Sequence, residues 1–274
     1  MPEIFEAVLN LRQSGEAGVL VTIVDTAGSS PLDAGAKLLL TSQGVVTGTV
    51  GGGALESEAI ETAKKVLNNK KSLLQKYSMG EHGTSLDAVE LGMICGGSAT
   101  LFYEYIGATD HVFIFGAGHV GKALLYHLKT RGVLITIIDS RKDILEGIEG
   151  AEKVHAPDYT DFPKSLTVPD GSYIIIANHS HDLDYEALKY IYSSAWNPSY
   201  VGVIASRRKA GTMVSKLRKE IGKSVDLKNL YTPVGLDLGG RSVDEIAISI
   251  ISELQGLKYG KTNLNHMKNR EERK

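Results

Sequence analysis

The stretch HVFIFGAGHVGKALLYHLKTRGVLITIID, residues 111–139, decides the fold. It opens on an apolar run, 111–115, and passes through Gly116-Ala117-Gly118-His119-Val120-Gly121. Apolar residues at helical spacing follow over 119–131, and a second apolar run, 133–138, ends at Asp139. A G-x-G-x-x-G string alone is weak. Placed after a strand and at the opening of a helix, with Asp139 lying 23 positions beyond Gly116, it has the context of a dinucleotide fingerprint. The glycines allow a tight turn and close approach of a pyrophosphate, and the helix N-terminus favours an anion. Asp139 is expected to accept a hydrogen bond from a ribose 2′-OH, which favours NAD-like over NADP-like ligands, and Arg141 softens that preference. The same string also fits a Rossmann-like fold that keeps the turn and binds no nucleotide.

Towards the C-terminus the alternation continues. Strands are predicted at 172–177 and 200–204, and helices at 184–194, 211–221 and 243–257. The last helix opens on Ser242-Val243-Asp244-Glu245, a capping box. Near-continuous apolar strands alternating with helices indicate a parallel sheet buried on both faces. Towards the N-terminus the grammar differs. A helix at 3–13 is followed by short strands at 18–24, 36–41 and 45–50, a helix at 54–67, strands at 73–78 and 98–105, and a loop-rich segment at 80–97. Short strands at this density imply a mixed or antiparallel sheet with few helices. The fold class is therefore α/β: an N-terminal mixed-sheet α+β domain (1–107), a Rossmann-like doubly wound domain (108–260) and a polar tail (261–274).

Four further constellations can carry chemistry. Gly51-Gly52-Gly53, between a strand and a helix, can turn bare N–H groups to an anion or can be a packing corner, and Glu56 stands in the first helical turn. Cys95, followed by Gly96 and Gly97, is either a small buried hydrophobe or an accessible thiol whose pKa neighbouring N–H groups lower. His179, His181, Asp182 and Asp184 follow the strand at 172–177, where ligands of open α/β sheets bind, so they suit acid–base work, metal ligation or simple helix capping. Ser206, Arg207 and Lys209 follow the strand at 200–204 and suit phosphate or a solvated helix start.

Composition narrows the classes. Of 274 residues, 42% are hydrophobic and 23% charged, as in ordinary globular proteins, and the net charge of −2 lacks the basic excess of a nucleic-acid binder. No apolar run reaches the ~18 residues of a membrane span. The opening MPEIFEAV is acidic where an export signal is basic, and one cysteine forms no intrachain disulfide, so a cytoplasmic chain is expected.

Together, Gly28-Ser29-Ser30-Pro31, the Gly51–Gly53 turn with Leu55-Glu56, Cys95-Gly96-Gly97, the Gly116–Gly121 loop, Asp139 with Arg141, His179 to Asp184, Ser206-Arg207 with Lys209, and Pro233-Val234-Gly235-Leu236 through Glu245-Ile246-Ala247 resemble the XdhC/CoxI family. These are accessory proteins of xanthine dehydrogenase and related molybdenum hydroxylases. The resemblance covers roughly residues 15–257, and it is the joint order of the motifs that is specific. It implies a chaperone that binds the molybdenum cofactor as cargo, protects it during sulfuration and passes it to an apo-hydroxylase, with a cysteine desulfurase as sulfur source. Cys95 is then the candidate for handling metal or sulfur, as a ligand of the cofactor's molybdenum. Leu32, Asn178 and Val243 stand where the family commonly has Arg, Thr and Pro. An NAD-dependent oxidoreductase, and a nucleotide or redox sensor, are the alternatives that the Rossmann part leaves open. A homodimer is expected, because exposed edges of a small mixed sheet tend to be covered.

Overall fold

The computed structural model describes residues 2–28, 32–79, 88–91, 97–160, 162 and 166–261. The chain forms two compact units, Met1–Thr109 and Asp110–Lys274.

The first unit is built on a six-stranded sheet. Its elements are α1 (Pro2–Ser14), β1 (Gly18–Ala27), β2 (Lys37–Thr41), β3 (Val46–Gly48), α2 (Ala54–Asn69), β4 (Leu73–Ser78), β5 (Ala88–Glu90) and β6 (Ser98–Ile106). The sheet order is β3-β2-β1-β6-β4-β5. All pairings are antiparallel except β4 with β5, so the sheet is mixed. Leu38, Leu39 and Leu40 are consecutive and all buried, which a period-two strand permits only if both faces are covered. Leu38 and Leu40 pack with Leu55, Ala59 and Ala63 of α2, whereas Leu39 packs with Ile4 and Leu11 of α1. Leu32 packs at the margin of the α2-side core. Within that core Tyr77 and Tyr103 share a 2.6 Å hydroxyl hydrogen bond, so burial of two phenols costs little unsatisfied polarity. The strand β5 falls in the segment read as loop; its three residues carry one large apolar side chain, Val89, and leave no alternation to read.

The second unit contains β7 (His111–Phe115), α3 (His119–Leu128), β8 (Leu134–Asp139), α4 (Lys142–Glu146), β9 (Glu152–His155), β10 (Tyr173–Ile176), α5 (His181–Ser193), β11 (Tyr200–Val203), α6 (Arg207–Ile221), β12 (Leu230–Tyr231) and α7 (Val243–Lys258). All strands are parallel, in the order β12-β11-β10-β7-β8-β9. Read from the other edge, this is the 3-2-1-4-5-6 order of a doubly wound dinucleotide-binding sheet. Val112 and Ile114 face a core shared with α3 and α7, while Phe113 and Phe115 face a core shared with α5 and α6. The unbroken apolar strand is thus explained by two covered faces.

Three helix bounds differ from the sequence reading by three residues or more. The helix opening at His119 ends at Leu128 and tightens into a 3-10 turn over Lys129–Arg131, closed by Gly132 in the left-handed region. The next begins at His181 rather than 184, because Ser180 caps it by accepting from Leu183 N. The third begins at Arg207 rather than 211, capped by Ser206. The capping box of Ser242 with Glu245 is formed.

Candidate functional site

The loop after β7 and the loop after β10 flank the point where the strand order reverses. Between them lies a cavity of about 480 Å³. Ala117 to Val120, Arg141, Ala177 to His179, His181 and Asp184 contribute to its wall, together with Lys122, Ile144 and Ile204. This is the crevice in which open α/β sheets bind ligands. A slightly larger cavity, about 570 Å³, lies over α5 and α6. It is the poorer candidate, because its lysines are already engaged: Lys189 pairs with Glu220 at 2.7 Å and Lys216 sits 3.8 Å over the Tyr185 ring.

The three fingerprint glycines play different parts. Gly116 has φ 112°, and a Cβ there would overlap the carbonyl oxygen of Ala177 in the neighbouring loop. A Cβ at Gly121 would overlap the Gly116 carbonyl, so this glycine lets α3 close onto its strand. At Gly118 a Cβ would meet no protein atom within 4 Å. The space a side chain would fill is open, at the N-cap of a ten-residue helix whose cap has no side-chain hydrogen bond. Bare N–H groups and the helix dipole there suit a phosphate. His119 follows on the exposed first turn, and Lys122 lies one turn further on.

Asp139 is 1% exposed and its carboxylate is fully engaged. Oδ2 accepts from Ala117 N at 2.7 Å and from Arg141 Nη2 at 2.9 Å. Oδ1 accepts from Arg141 N and Nε, both at 2.9 Å. Burial pushes this carboxyl up, but the Arg141 side chain and the two backbone N–H groups outweigh burial and hold it below the ordinary carboxylate value. The sequence reading points Asp139 at a ribose. In this structure it instead ties the glycine loop to Arg141, because a buried carboxylate must fill its acceptor sites.

The His179–Asp184 segment splits. Asp184, 3% exposed, accepts from Asn178 N at 2.9 Å and lies 3.7 Å from His181 Nδ1. Burial raises its pKa above the ordinary value, and the hydrogen bond from Asn178 N only partly offsets this. His181 Nε2 hydrogen-bonds Lys209 Nζ. An ammonium only donates, so Nε2 accepts and the ring proton sits on Nδ1, towards Asp184. Asn178 Oδ1 accepts from Tyr159 OH at 2.7 Å, while its Nδ2 is buried with no partner among the described residues. That orphaned donor beside a cavity fits an acceptor-bearing ligand. His179 is exposed at the cavity rim.

Other expectations fall elsewhere. Ser206 caps α6 and Arg207 opens it in solvent; neither lines the cavity, and only Lys209 reaches it, through His181. Among the described residues no group of three or more His, Cys, Asp or Glu can hold a metal ion, so the metal alternative for the His179–Asp184 run finds no support. The reason is geometric: Asp184 is turned inward to Asn178 and His181 is turned to Lys209. In the first unit, Thr49 Oγ1 bonds Glu56 Oε2 and accepts from Gly51 N at 3.1 Å, so Glu56 braces the triple-glycine turn. Gly52 and Gly53 are exposed with open space beyond them. Gly97 O accepts from Met79 N at 2.8 Å. Cys95 and Gly96, and Ser29 to Pro31, lie outside the described residues. No helix among the described residues is long and apolar enough to cross a membrane. Lys122 was missed by the sequence reading, although its helical spacing from Gly118 places it on the loop's side of α3.

Comparison with known proteins agrees with this architecture. Residues 112–254, more than half the chain, match the XdhC Rossmann domain, and residues 11–78 match the XdhC and CoxI family. The uncharacterized protein YqeB of Escherichia coli (strain K12) is 29% identical over 260 residues, covering 93% of this chain and 46% of YqeB. The chain thus spans about half the length of that relative. A protein of Bacillus subtilis (strain 168) described as a probable xanthine dehydrogenase subunit is 21% identical over 324 residues, covering 89% of this chain and 94% of that protein. A crystal structure described as a xanthine dehydrogenase from Bacillus halodurans is 18% identical, covers 96% of this chain and 97% of its own, and has a TM-score of 0.48. On the family matches, the chain belongs to the XdhC and CoxI family.

Proposed function

We propose that this chain is a maturation factor for a molybdenum hydroxylase of the xanthine dehydrogenase type. It binds the molybdenum cofactor as cargo, shields it while a cysteine desulfurase supplies sulfur, and releases it to the apo-hydroxylase. The phosphate of the cargo sits on the N–H groups at Gly118, with Lys122 and Arg141 supplying positive charge and Asn178 Nδ2 a further donor. Cys95, followed by Gly96 and Gly97, handles the molybdenum end or the sulfur, and Gly52 and Gly53 in the triple-glycine turn offer a second anion contact. The chain works as a homodimer in the cytoplasm.

One observation carries the reading: open space where a Gly118 Cβ would stand, at a helix N-terminus, inside a cavity whose wall carries Lys122 and Arg141. Family membership supports the molybdenum cofactor as that cargo. The test is anaerobic gel filtration of the chain with isolated molybdenum cofactor, measuring molybdenum and pterin in the protein peak. Wild type retains both, Gly118→Ala loses both, and Cys95→Ala loses molybdenum retention or sulfuration. A wild-type peak free of cofactor, with a known binder retaining it in parallel, overturns the proposal.

A nicotinamide-dependent oxidoreductase is the second reading, favoured by His181 and Asp184 at 3.7 Å in the same cavity. It is the weaker one, because Lys209 already occupies His181 Nε2, the nitrogen away from Asp184.

A further inference from the structure

The corner of the cavity at the end of β8 is where a dinucleotide fold usually reads the adenosine ribose, by a carboxylate that accepts from the vicinal diol. Here the carboxylate has no capacity left. Asp139 accepts four hydrogen bonds, from Ala117 N, Arg141 N, Arg141 Nε and Arg141 Nη2, and is 1% exposed. A carboxylate has about four lone-pair sites, so none remains for a hydroxyl.

The spare hydrogen-bonding capacity belongs to Arg141. A guanidinium carries five N–H donors. Two of the side-chain donors, on Nε and Nη2, go to Asp139, leaving both Nη1 hydrogens and one on Nη2. The Arg141 side chain is 34% exposed and forms part of the cavity wall. Among the described residues, the other carboxylate acting on it, Asp143, makes no hydrogen bond to it. Asp139 offsets Arg141, and Asp184 in the same wall offsets Lys122, so selection at this corner rests on the free guanidinium donors rather than on net charge. A ribose diol here can accept from Arg141, but its own hydroxyl protons find no free acceptor on Asp139. A phosphate offers acceptors alone and gains charge-assisted, fork-shaped hydrogen bonds.

We propose that Arg141, fixed by Asp139, is the specificity-determining residue of this cavity, and that it selects a ligand bearing a phosphate at the end of β8 over one bearing an unmodified ribose diol. This rests on the reading of the cavity as a site for phosphate-bearing ligands. It reverses the NAD-like preference that Asp139 suggests in the sequence. Asp139 becomes a positioning residue, holding the guanidinium with its free edge towards the ligand.

The test is isothermal titration of the full chain with AMP and adenosine 2′,5′-bisphosphate, and with NAD and NADP, at matched ionic strength. The 2′-phosphorylated member of each pair binds at least about 10-fold more tightly to wild type, as a charge-assisted fork allows. Arg141→Gln alone strands a buried carboxylate and can fail to fold. The double variant Asp139→Asn/Arg141→Gln therefore accompanies it: it keeps an acceptor for Ala117 N, leaves net charge unchanged, and brings the preference to within about 2-fold. Gly118→Ala weakens all four ligands alike. Equal or tighter binding of AMP and NAD by wild type overturns the Arg141 assignment and leaves the phosphate cavity standing. A preference that persists in the double variant also overturns it. Binding of none of the four by wild type removes the phosphate cavity and this inference together.

Discussion

Gly118 and Gly121 stand three residues apart in one loop, and a methyl group on each does opposite things. At Gly121 it would overlap the Gly116 carbonyl, and backbone cannot step aside as a side chain can. Gly121→Ala is expected to destabilise the protein by about 3 kcal/mol, the upper end for overpacking. At Gly118, whose φ of −71° suits any residue, the methyl enters open space. Gly118→Ala should leave the unfolding free energy from urea titration within about 1 kcal/mol of wild type and abolish phosphate-ligand binding. The two acids differ in the same way. The folded-state pKa of Asp139 is depressed, so its contribution is present above the unfolded value of about 3.9 and lost as pH falls through the depressed one. The folded-state pKa of Asp184 is raised, chiefly by burial, so its ionised form opposes folding, increasingly as pH rises from about 4 through the raised value. Melting curves against pH should therefore show Asp139→Asn least stable relative to wild type at neutral pH. Asp184→Asn should gain on wild type as pH rises above about 4. Parallel melting curves for wild type and either variant would contradict the assignment. The sequence marked both residues as site residues by position, but the direction each carboxylate takes depends on partners, Arg141 and Asn178, that spacing alone does not rank.

At the scale of elements, caps govern where the helices of the second unit begin. Ser180, Ser206 and Ser242 each accept a backbone hydrogen bond three residues on. Glu245 Oε2 in turn accepts from Arg241 N, Ser242 N and Ser242 Oγ, so the loop before α7 is pinned together with the helix. Ser242→Ala should lower unfolding free energy by about 1 kcal/mol, measured by urea titration. The box at Ser242 was legible because Ser and Glu have the reciprocal spacing. The start of α6 stayed open between a helix start and a phosphate contact, because Arg207, Arg208 and Lys209 put positive charge where a helix dipole disfavours it. The strand β9 was missed for another reason. Its residues Glu152–His155 include one apolar side chain, Val154, and an edge strand forms by pairing with β8 rather than by burial. The two-residue strand β12 pairs at the opposite edge and left no pattern either.

At the scale of the molecule, each unit has its own sheet and its own cores. The parallel sheet was legible because Val112 to Phe115 and Tyr173 to Ile176 are apolar at successive positions, the mark of strands covered on both faces. The first sheet was legible as mixed or antiparallel from its short strands, but the parallel β4–β5 pair that makes it mixed carries no mark of its own. The cavity itself follows from strand order, since only the reversal between β7 and β10 opens a crevice, and a linear reading gives strands without their order. In the proposed function this cavity is a phosphate holder with a fixed guanidinium, and family membership supports the molybdenum cofactor as the proposed cargo. The most direct measurement is anaerobic transfer. Chain loaded with sulfurated cofactor is mixed with cofactor-free hydroxylase of the xanthine dehydrogenase type, and hydroxylase turnover is followed. Activity is predicted to rise in proportion to loaded chain, to level off when the hydroxylase sites are filled, and to fall to the free-cofactor level with Gly118→Ala. Equal activation by free cofactor at the same concentration, with or without the chain, would contradict the account.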